Sequence, residues 1–312
     1  MRAVQVGEFG VNHLKVAEAA DPVPGQGEVL IATEAATINP ADYAVVRGAV
    51  AARLPWGSVP PYTPGWDLVG RAVAVGAGVD SAILGSRVLG FSLWFESTRG
   101  TQASLVALPI GNVVHAPEGL PSPQLTTVGL NGLTAWRGLA DLKLSKGETV
   151  VITGAAGSVG GFAVELAAAR GFHVIGVVRE DQKQDARDLG ATAVVSADDA
   201  DLGAAIREIV PGGADALLDT ASIAGPALAA IRDGGKYVTV TVTPPAERGI
   251  DVFRSGGRMD AAALGTLAEM ASSGQLRTPV AATYAIDDAR AAYEAFAQPA
   301  GRGRIVLSFA RA

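Results

Sequence analysis

Residues 148–180 read ETVVITGAAGSVGGFAVELAAARGFHVIGVVRE, and no other stretch limits the possible folds as tightly. An apolar, β-branched run passes directly into Gly154, Ala155, Ala156, Gly157, Ser158, Val159 and Gly160, and an Ala-rich segment then leads to a second apolar run. Strand, glycine loop, helix and strand make a βαβ unit, which builds a parallel sheet. The glycines then differ in role, since one lets the chain turn off the strand, one lets the backbone approach a pyrophosphate, and one lets the helix pack closely. The helix start offers free N–H groups and a partial positive charge to phosphate oxygens. Residues 154–160 therefore read as a dinucleotide cradle, with a purely structural turn as the plain alternative.

The end of the second strand discriminates between cofactors, because NAD sites usually place Asp or Glu there, about 20 residues past the glycines. Here Val178 is followed by Arg179, and Glu180 comes one position too late. Arg179 is assigned to a 2′-phosphate and the cofactor to NADP, since a guanidinium fork donates several hydrogen bonds to one phosphate. The alternative is an exposed arginine paired with Glu180 or Asp181.

Around this unit the texture changes twice. Up to about residue 122, short strands such as 28–33, 68–75 and 104–108 alternate with Gly and Pro turns, which suits an antiparallel or barrel-like β domain. Residues 125–139 then show helical spacing. Strands are expected at 149–153, 174–178, 193–195, 216–219 and 237–243, with helices at 159–170, 182–189, 201–210 and 223–231. That alternation implies an α/β fold with helices on both faces of a parallel sheet. Beyond residue 257 come a helix at 260–273, a strand at 280–284, a helix at 287–297 and a strand at 304–309, with Asp260 and Asp287 as N-caps. The last strand needs a partner, and the N-terminal β domain is its expected home. The expected division is 1–122, 123–257 and 258–312, with the nucleotide fold inserted into a discontinuous β domain.

Composition removes several functions. The 312 residues contain no cysteine, and the three histidines, His13, His115 and His173, lack ligand spacing, so no metal is expected. A net charge of −6 with scattered Lys and Arg gives no basic stripe for nucleic acid. No apolar run approaches the roughly 18 residues of a membrane span, and the opening MRAVQVGEF alternates like a strand; a cytoplasmic location is expected.

The glycine loop, ATINPADYAVVRG at 36–48, PYTPGWDLVGRAVAVGAGV at 61–79, ARDLGA at 186–191 and GRGRIVLSF at 301–309 together resemble the medium-chain dehydrogenase/reductase superfamily, in its zinc-independent quinone oxidoreductase branch. The resemblance implies a GroES-like β domain, formed by the N-terminal part and the C-terminal tail, with an inserted Rossmann domain. Zinc-dependent relatives hold metal with Cys, His and Glu where this chain has Asn39, Trp66 and Asp67. What the resemblance then implies is hydride transfer from NADPH to a quinone or an α,β-unsaturated carbonyl compound, by a homodimer.

The same resemblance makes Asn39, Asp42 and Tyr43 the catalytic candidates and adds Thr134, Lys183, Thr220 and Thr241 to the cofactor contacts. Plainer readings stay open. Asn39 and Pro40 suit a turn, Asp42 suits a helix cap, and Thr134 an ordinary helix position. Lys183 stands one place after Gln182, where relatives often carry the phosphate-binding lysine. Ala49 and Val50 stand where enoyl-thioester reductases usually carry a tyrosine, which counts against that activity. Trp56, Tyr62, Trp66 and Trp94 would line a flat substrate face, or simply pack the loops. A nucleotide-binding sensor or structural protein without turnover is the rival reading.

Overall fold

A computed structural model of the chain describes residues 1–54, 58–256, 258–298 and 302–309. Trp56 lies outside the described residues. The chain divides into two compact units, Met1–Leu130 with Arg258–Ala312, and Asn131–Gly257.

The first unit begins with strands β1 (Arg2–Gln5), β2 (Lys15–Glu18), β3 (Glu28–Ile38), β4 (Asp67–Val75), β5 (Arg87–Phe91), β6 (Leu105–Pro109) and β7 (Val113–His115). Short helices α1 (Pro40–Val46), α2 (Trp94–Ser97) and α3 (Ser122–Leu125) punctuate them, and α4 (Val128–Leu142) follows. The second unit runs β8 (Thr149–Thr153), α5 (Ser158–Ala169), β9 (His173–Val178), α6 (Lys183–Asp188), β10 (Ala193–Ser196), α7 (Leu202–Ile209), β11 (Ala214–Asp219), α8 (Gly225–Leu228), β12 (Ile231–Thr239) and β13 (Asp251–Arg254). The chain returns to the first unit through α9 (Ala261–Ser272), β14 (Val280–Ala285), α10 (Ala289–Phe296) and β15 (Arg304–Ser308).

In the first unit, β3 is the organising strand. It pairs antiparallel with β4, β6 and β15. The register sets Ile305 opposite Ile38 and Val306 opposite Thr37, so the C-terminal strand closes onto the N-terminal sheet. Burial of Val29, Ile31, Leu68, Val88 and Val106 in one cluster holds the register of β3 with β4 and β6, because a slip of one residue would turn that face outward. In the second unit all pairings are parallel and the order is β10-β9-β8-β11-β12-β13. Val151, Ile175 and Leu217 from the strands pack with Ile206 and Leu228 from the helices. The order reverses between β8 and β11, the place where doubly wound sheets bind ligands beyond the strands' carboxyl ends.

Local signals placed many ends correctly. Asp201 and Asp260 cap their helices, accepting from the N–H of Ala204 and Ala263 at 2.9 Å each. Asp287 does not cap: Asp288 occupies the cap position, and Asp287 pairs with Arg2. The segment 125–139 breaks into α3 and α4, and α3 belongs to the first unit, because the division falls inside α4. The expected helix at 223–231 shrinks to α8, since Ser222 and Ala224 hold positive φ of 62° and 57° and Pro226 fills the first turn. β12 consequently starts at Ile231 and ends at Thr239, and β13 adds a sixth strand that the apolar pattern does not announce.

Candidate functional site

The glycine loop is built from two unequal requirements. Gly154 leaves β8 with φ +61°, a conformation costly for any side chain. A Cβ on Gly160 would stand 2.1 Å from the Gly154 carbonyl oxygen and 3.0 Å from Thr220 Oγ1, so α5 can approach the loop only through a glycine. Gly157 obeys neither rule. Its backbone is ordinary (φ −76°, ψ −179°), and a Cβ there would meet only the Gly154 oxygen, at 3.1 Å. It is exposed and sits at the N-cap of a 12-residue helix with no side-chain cap, leaving the first-turn N–H groups without a capping side chain. These features fit the pyrophosphate of a dinucleotide, which would supply the oxygens that a capping side chain does not. Ala155 and Ala156, by contrast, are fully buried, so any contribution from them is through backbone. Ser158 and Val159 are half-buried in the first turn.

Beside this loop stands Asp219, at the carboxyl end of β11 and fully buried. One carboxylate oxygen accepts from Thr153 Oγ1 at 2.6 Å and from the N–H groups of Ala221 and Ile223 at 3.1 and 3.2 Å. The other accepts from Tyr237 Oη at 2.6 Å and the Ala224 N–H at 3.0 Å. Burial alone would raise its pKa, but these donors outweigh burial and hold it below the ordinary carboxylate value. Thr220 donates its hydroxyl to the Thr153 carbonyl at 2.6 Å, so toward a ligand it can only accept. Thr241 is exposed and shares a 2.7 Å hydrogen bond with Ser222 Oγ. Thr134 is half-buried on α4.

The cations at the end of β9 carry acidic partners. Arg179 Nε lies 3.5 Å from Asp181 Oδ1, and Lys183 Nζ lies 2.7 Å from Glu180 Oε2. Both acids are largely exposed, so a competing phosphate meets weak local opposition.

In the first unit, Asn39, Asp42 and Asp67 come together at the start of α1 and the end of β3. Asn39 is the N-cap of α1, and Asp42 accepts from its N–H at 2.8 Å. Asn39 Nδ2 donates to Asp67 Oδ2 at 3.2 Å, and the N–H groups of Thr37 and Leu130 also donate to Asp67, at 3.2 and 3.0 Å. All three side chains are fully buried. Burial raises Asp67 to about 6, against these hydrogen bonds, and burial together with the charge of Asp67 raises Asp42 well above its usual value. Arg304 on β15 offsets that charge, and burial brings its own pKa down to about 10. Asn39 and Asp42, expected as catalytic groups, are thus both buried: the Asn39 amide donates to Asp67, and one Asp42 oxygen accepts at the helix cap while the other, Oδ1, has no hydrogen-bond partner. Tyr43 is half-buried, its ring tilted against that of Phe296 at a centroid distance of 5.5 Å, and is the most accessible of the three.

Tyr62, Trp66 and Trp94, expected at the substrate face, pack on one another. Trp94 is fully buried and donates its indole N–H to the Thr63 carbonyl at 2.7 Å. Trp66 packs on Trp94 at 5.4 Å and on Phe95 at 5.6 Å, and Tyr62 meets Trp94 edge-on at 6.3 Å. Rings of this size contribute most when removed from water, and these pack together as a loop core. Sequence reasoning missed Asp219 and assigned Asp67 only as a lost metal ligand. An Asp closing a central parallel strand was the available signal for the former.

Among the described residues, no group of three or more His, Cys, Asp or Glu side chains is arranged to hold a metal ion. The donor set at the metal positions of zinc-dependent relatives does not suit zinc either, since an indole cannot ligate it and Asn39 and Asp67 satisfy each other.

Comparison with known proteins agrees with this architecture. Residues 25–118 match the alcohol dehydrogenase GroES-like domain, and residues 158–270 match a family described as zinc-binding dehydrogenase. The chain is 28% identical to an alcohol dehydrogenase of Moraxella sp. (strain TAE123), over 99% of both chains. It is 34% identical to the quinone oxidoreductase of Homo sapiens, over 59% of this chain and 54% of that one. That match thus spans about half the length of the quinone oxidoreductase. The solved quinone oxidoreductase of Coxiella burnetii shares the fold, with a TM-score of 0.88 over 99% of both chains at 23% identity. By its paired domain families, its glycine loop and these relatives, the chain belongs to the medium-chain dehydrogenase/reductase superfamily of oxidoreductases, among its quinone oxidoreductase-like members.

Proposed function

We propose that the protein is a zinc-independent reductase that uses NADPH to reduce a quinone or an α,β-unsaturated carbonyl compound. The observation that carries this reading is the hydrogen bond from Asn39 Nδ2 to Asp67 Oδ2, with Trp66 packed on Trp94. Side chains occupied in this way leave no Lewis acid to polarise an alcohol or simple ketone, which favours acceptors already activated toward hydride. When bound, the reduced nicotinamide supplies that hydride.

The chain's own contribution is placement and charge. The N–H groups of Ser158, Val159 and Gly160 hold the pyrophosphate at the start of α5, where the helix dipole favours anions. Arg179 exchanges Asp181 for the 2′-phosphate, and Lys183 exchanges Glu180. The hydroxyls of Thr134, Thr220 and Thr241 complete the cofactor contacts. Tyr43 donates a hydrogen bond to the oxygen on which negative charge develops, and water delivers the final proton.

The test is loss of NADPH absorbance with a panel of quinones and enones, in the presence of a strong chelator. Turnover that survives chelation is the expected result. Tight NADPH binding without turnover on any acceptor would favour a non-catalytic sensor, and activity abolished by chelation would return the protein to the zinc-dependent class.

A further inference from the structure

Two of the five non-glycine residues with positive φ among the described residues, Ser222 and Ala224, lie in one short loop after β11. Ala224 is the more strained, with φ 57° and ψ −124°. Such conformations persist only where surrounding contacts over-determine them, and they gather where a backbone must be held in a working shape. The contacts here converge on one side chain. Ala221, Ile223 and Ala224 all direct their N–H groups at the Asp219 carboxylate.

The same carboxylate reaches the glycine loop. Thr153, the residue before Gly154, donates its hydroxyl to Asp219 and accepts in turn from the N–H groups of Thr220 and Ala221, at 2.9 and 3.1 Å. The Thr220 hydroxyl closes the circuit on the Thr153 carbonyl. The two loops are also in close contact. A Cβ on Gly154 would lie 3.2 Å from the Ala221 Cβ, and one on Gly160 would lie 3.0 Å from Thr220 Oγ1. An ionised carboxylate at this depth is costly unless its lone pairs are filled, and five donors fill them. The exposed Ser222–Thr241 hydroxyl pair is carried on the loop so held.

We propose that Asp219 is the positioning residue of the dinucleotide site: through Thr153 it locks the glycine loop and the 220–224 loop into one rigid rim before any cofactor arrives. The ligand named here rests on the functional reading above. The rigid rim itself is a property of the cofactor-free protein.

Three substitutions separate positioning from simple stability. Thr153→Val is nearly isosteric and cuts the link between the carboxylate and the glycine loop. Thr153→Ser restores the hydroxyl. Tyr237→Phe removes a donor from Asp219 without touching either loop. Expected for Thr153→Val is a tenfold or greater rise in the Kd for NADPH by calorimetry, reversed to within about twofold by Thr153→Ser. Tyr237→Phe should lower the melting temperature and leave Kd within about twofold.

Hydrogen exchange on the cofactor-free protein supplies the second readout. Amide protection at Ala221, Ile223 and Ala224 should fall at least tenfold in Thr153→Val, while β8 and β11 stay protected. This arm decides whether the rim is tied together even if the wild-type chain proves to bind no dinucleotide, an outcome that would refute the functional reading separately. Unchanged exchange and unchanged Kd in Thr153→Val would overturn the proposal. So would losses of affinity in Thr153→Val and Tyr237→Phe that simply follow their losses of melting temperature.

Discussion

Replacing Gly157 and Gly160 in turn by valine tests the division of labour within the glycine loop. At Gly157 the backbone is already extended, and a Cβ meets only the Gly154 oxygen, at 3.1 Å, so the neighbour need yield by a few tenths of an ångström. An apolar residue at an N-cap costs about 0.5–1 kcal/mol, which moves the melting temperature by a few degrees. The added methyl groups would nevertheless occupy the space in front of the uncapped N–H groups. If two charge-assisted hydrogen bonds to the pyrophosphate are lost, at about 1.5–3 kcal/mol each, NADPH affinity falls by about 100-fold or more. At Gly160 the contacts reverse the outcome. A Cβ at 2.1 Å from the Gly154 oxygen and 2.7 Å from its carbonyl carbon strikes backbone, so the loop or the helix must move, at about 1–3 kcal/mol or more. Thermal melts without cofactor, read beside a fluorescence titration with NADPH, separate the two effects. A Gly157→Val variant that melts normally and binds NADPH with unchanged affinity would refute the cradle reasoning. A Gly160→Val variant that melts within a degree of wild type would refute the steric argument.

Three further outcomes are expected. Arg179→Ala should weaken NADPH by about 10- to 150-fold and leave NADH nearly unchanged, whereas Asp181→Ala, by releasing Arg179 from an exposed ion pair, should tighten NADPH by up to about fivefold in calorimetry; equal losses for both cofactors in Arg179→Ala would make the residue structural. With the folded pKa of Asp67 raised to about 6 from 3.8, the native state holds the extra proton between those values, so stability is highest there and falls as pH rises through about 6, by up to about 3 kcal/mol. Asp42 contributes with the same sign, whereas Asp219 and Glu28, held below their ordinary values, contribute stability that is lost as pH falls below about 4; urea melts that show rising stability from pH 5 to 8 would contradict the assignment. Trp94→Ala should cost about 3–5 kcal/mol in urea unfolding, because it empties a fully buried site; unchanged stability with a selective loss of acceptor affinity would restore Trp94 as a substrate contact.

The features legible in the sequence are those governed by neighbours along the chain. β8 was recovered residue for residue, because a strand buried on both faces is a continuous apolar run ended by a glycine. The cap at Asp260 and the turn at Gly154 depend on a few residues each, and they too were readable. The discontinuous β unit followed from a strand, β15, that needed a partner far back in the chain.

Where the structure departs, the deciding partner is remote. Nothing near Trp94 in sequence says that Trp66 and Tyr62 will enclose it, and nothing near Asn39 says that its amide will be taken by Asp67, 28 residues on. α8 is short because the carboxylate of Asp219 draws three amides of the preceding loop away from helix geometry, against the local preference of an Ala-rich segment. Propensity and periodicity act over one or two turns of chain. The satisfaction of buried polar groups acts through space, as in the hydrogen bond from Tyr293 to Gln102 across 191 residues, and it is this accounting that set which of the suggestive polar residues in the sequence are buried structural parts and which remain open to a ligand.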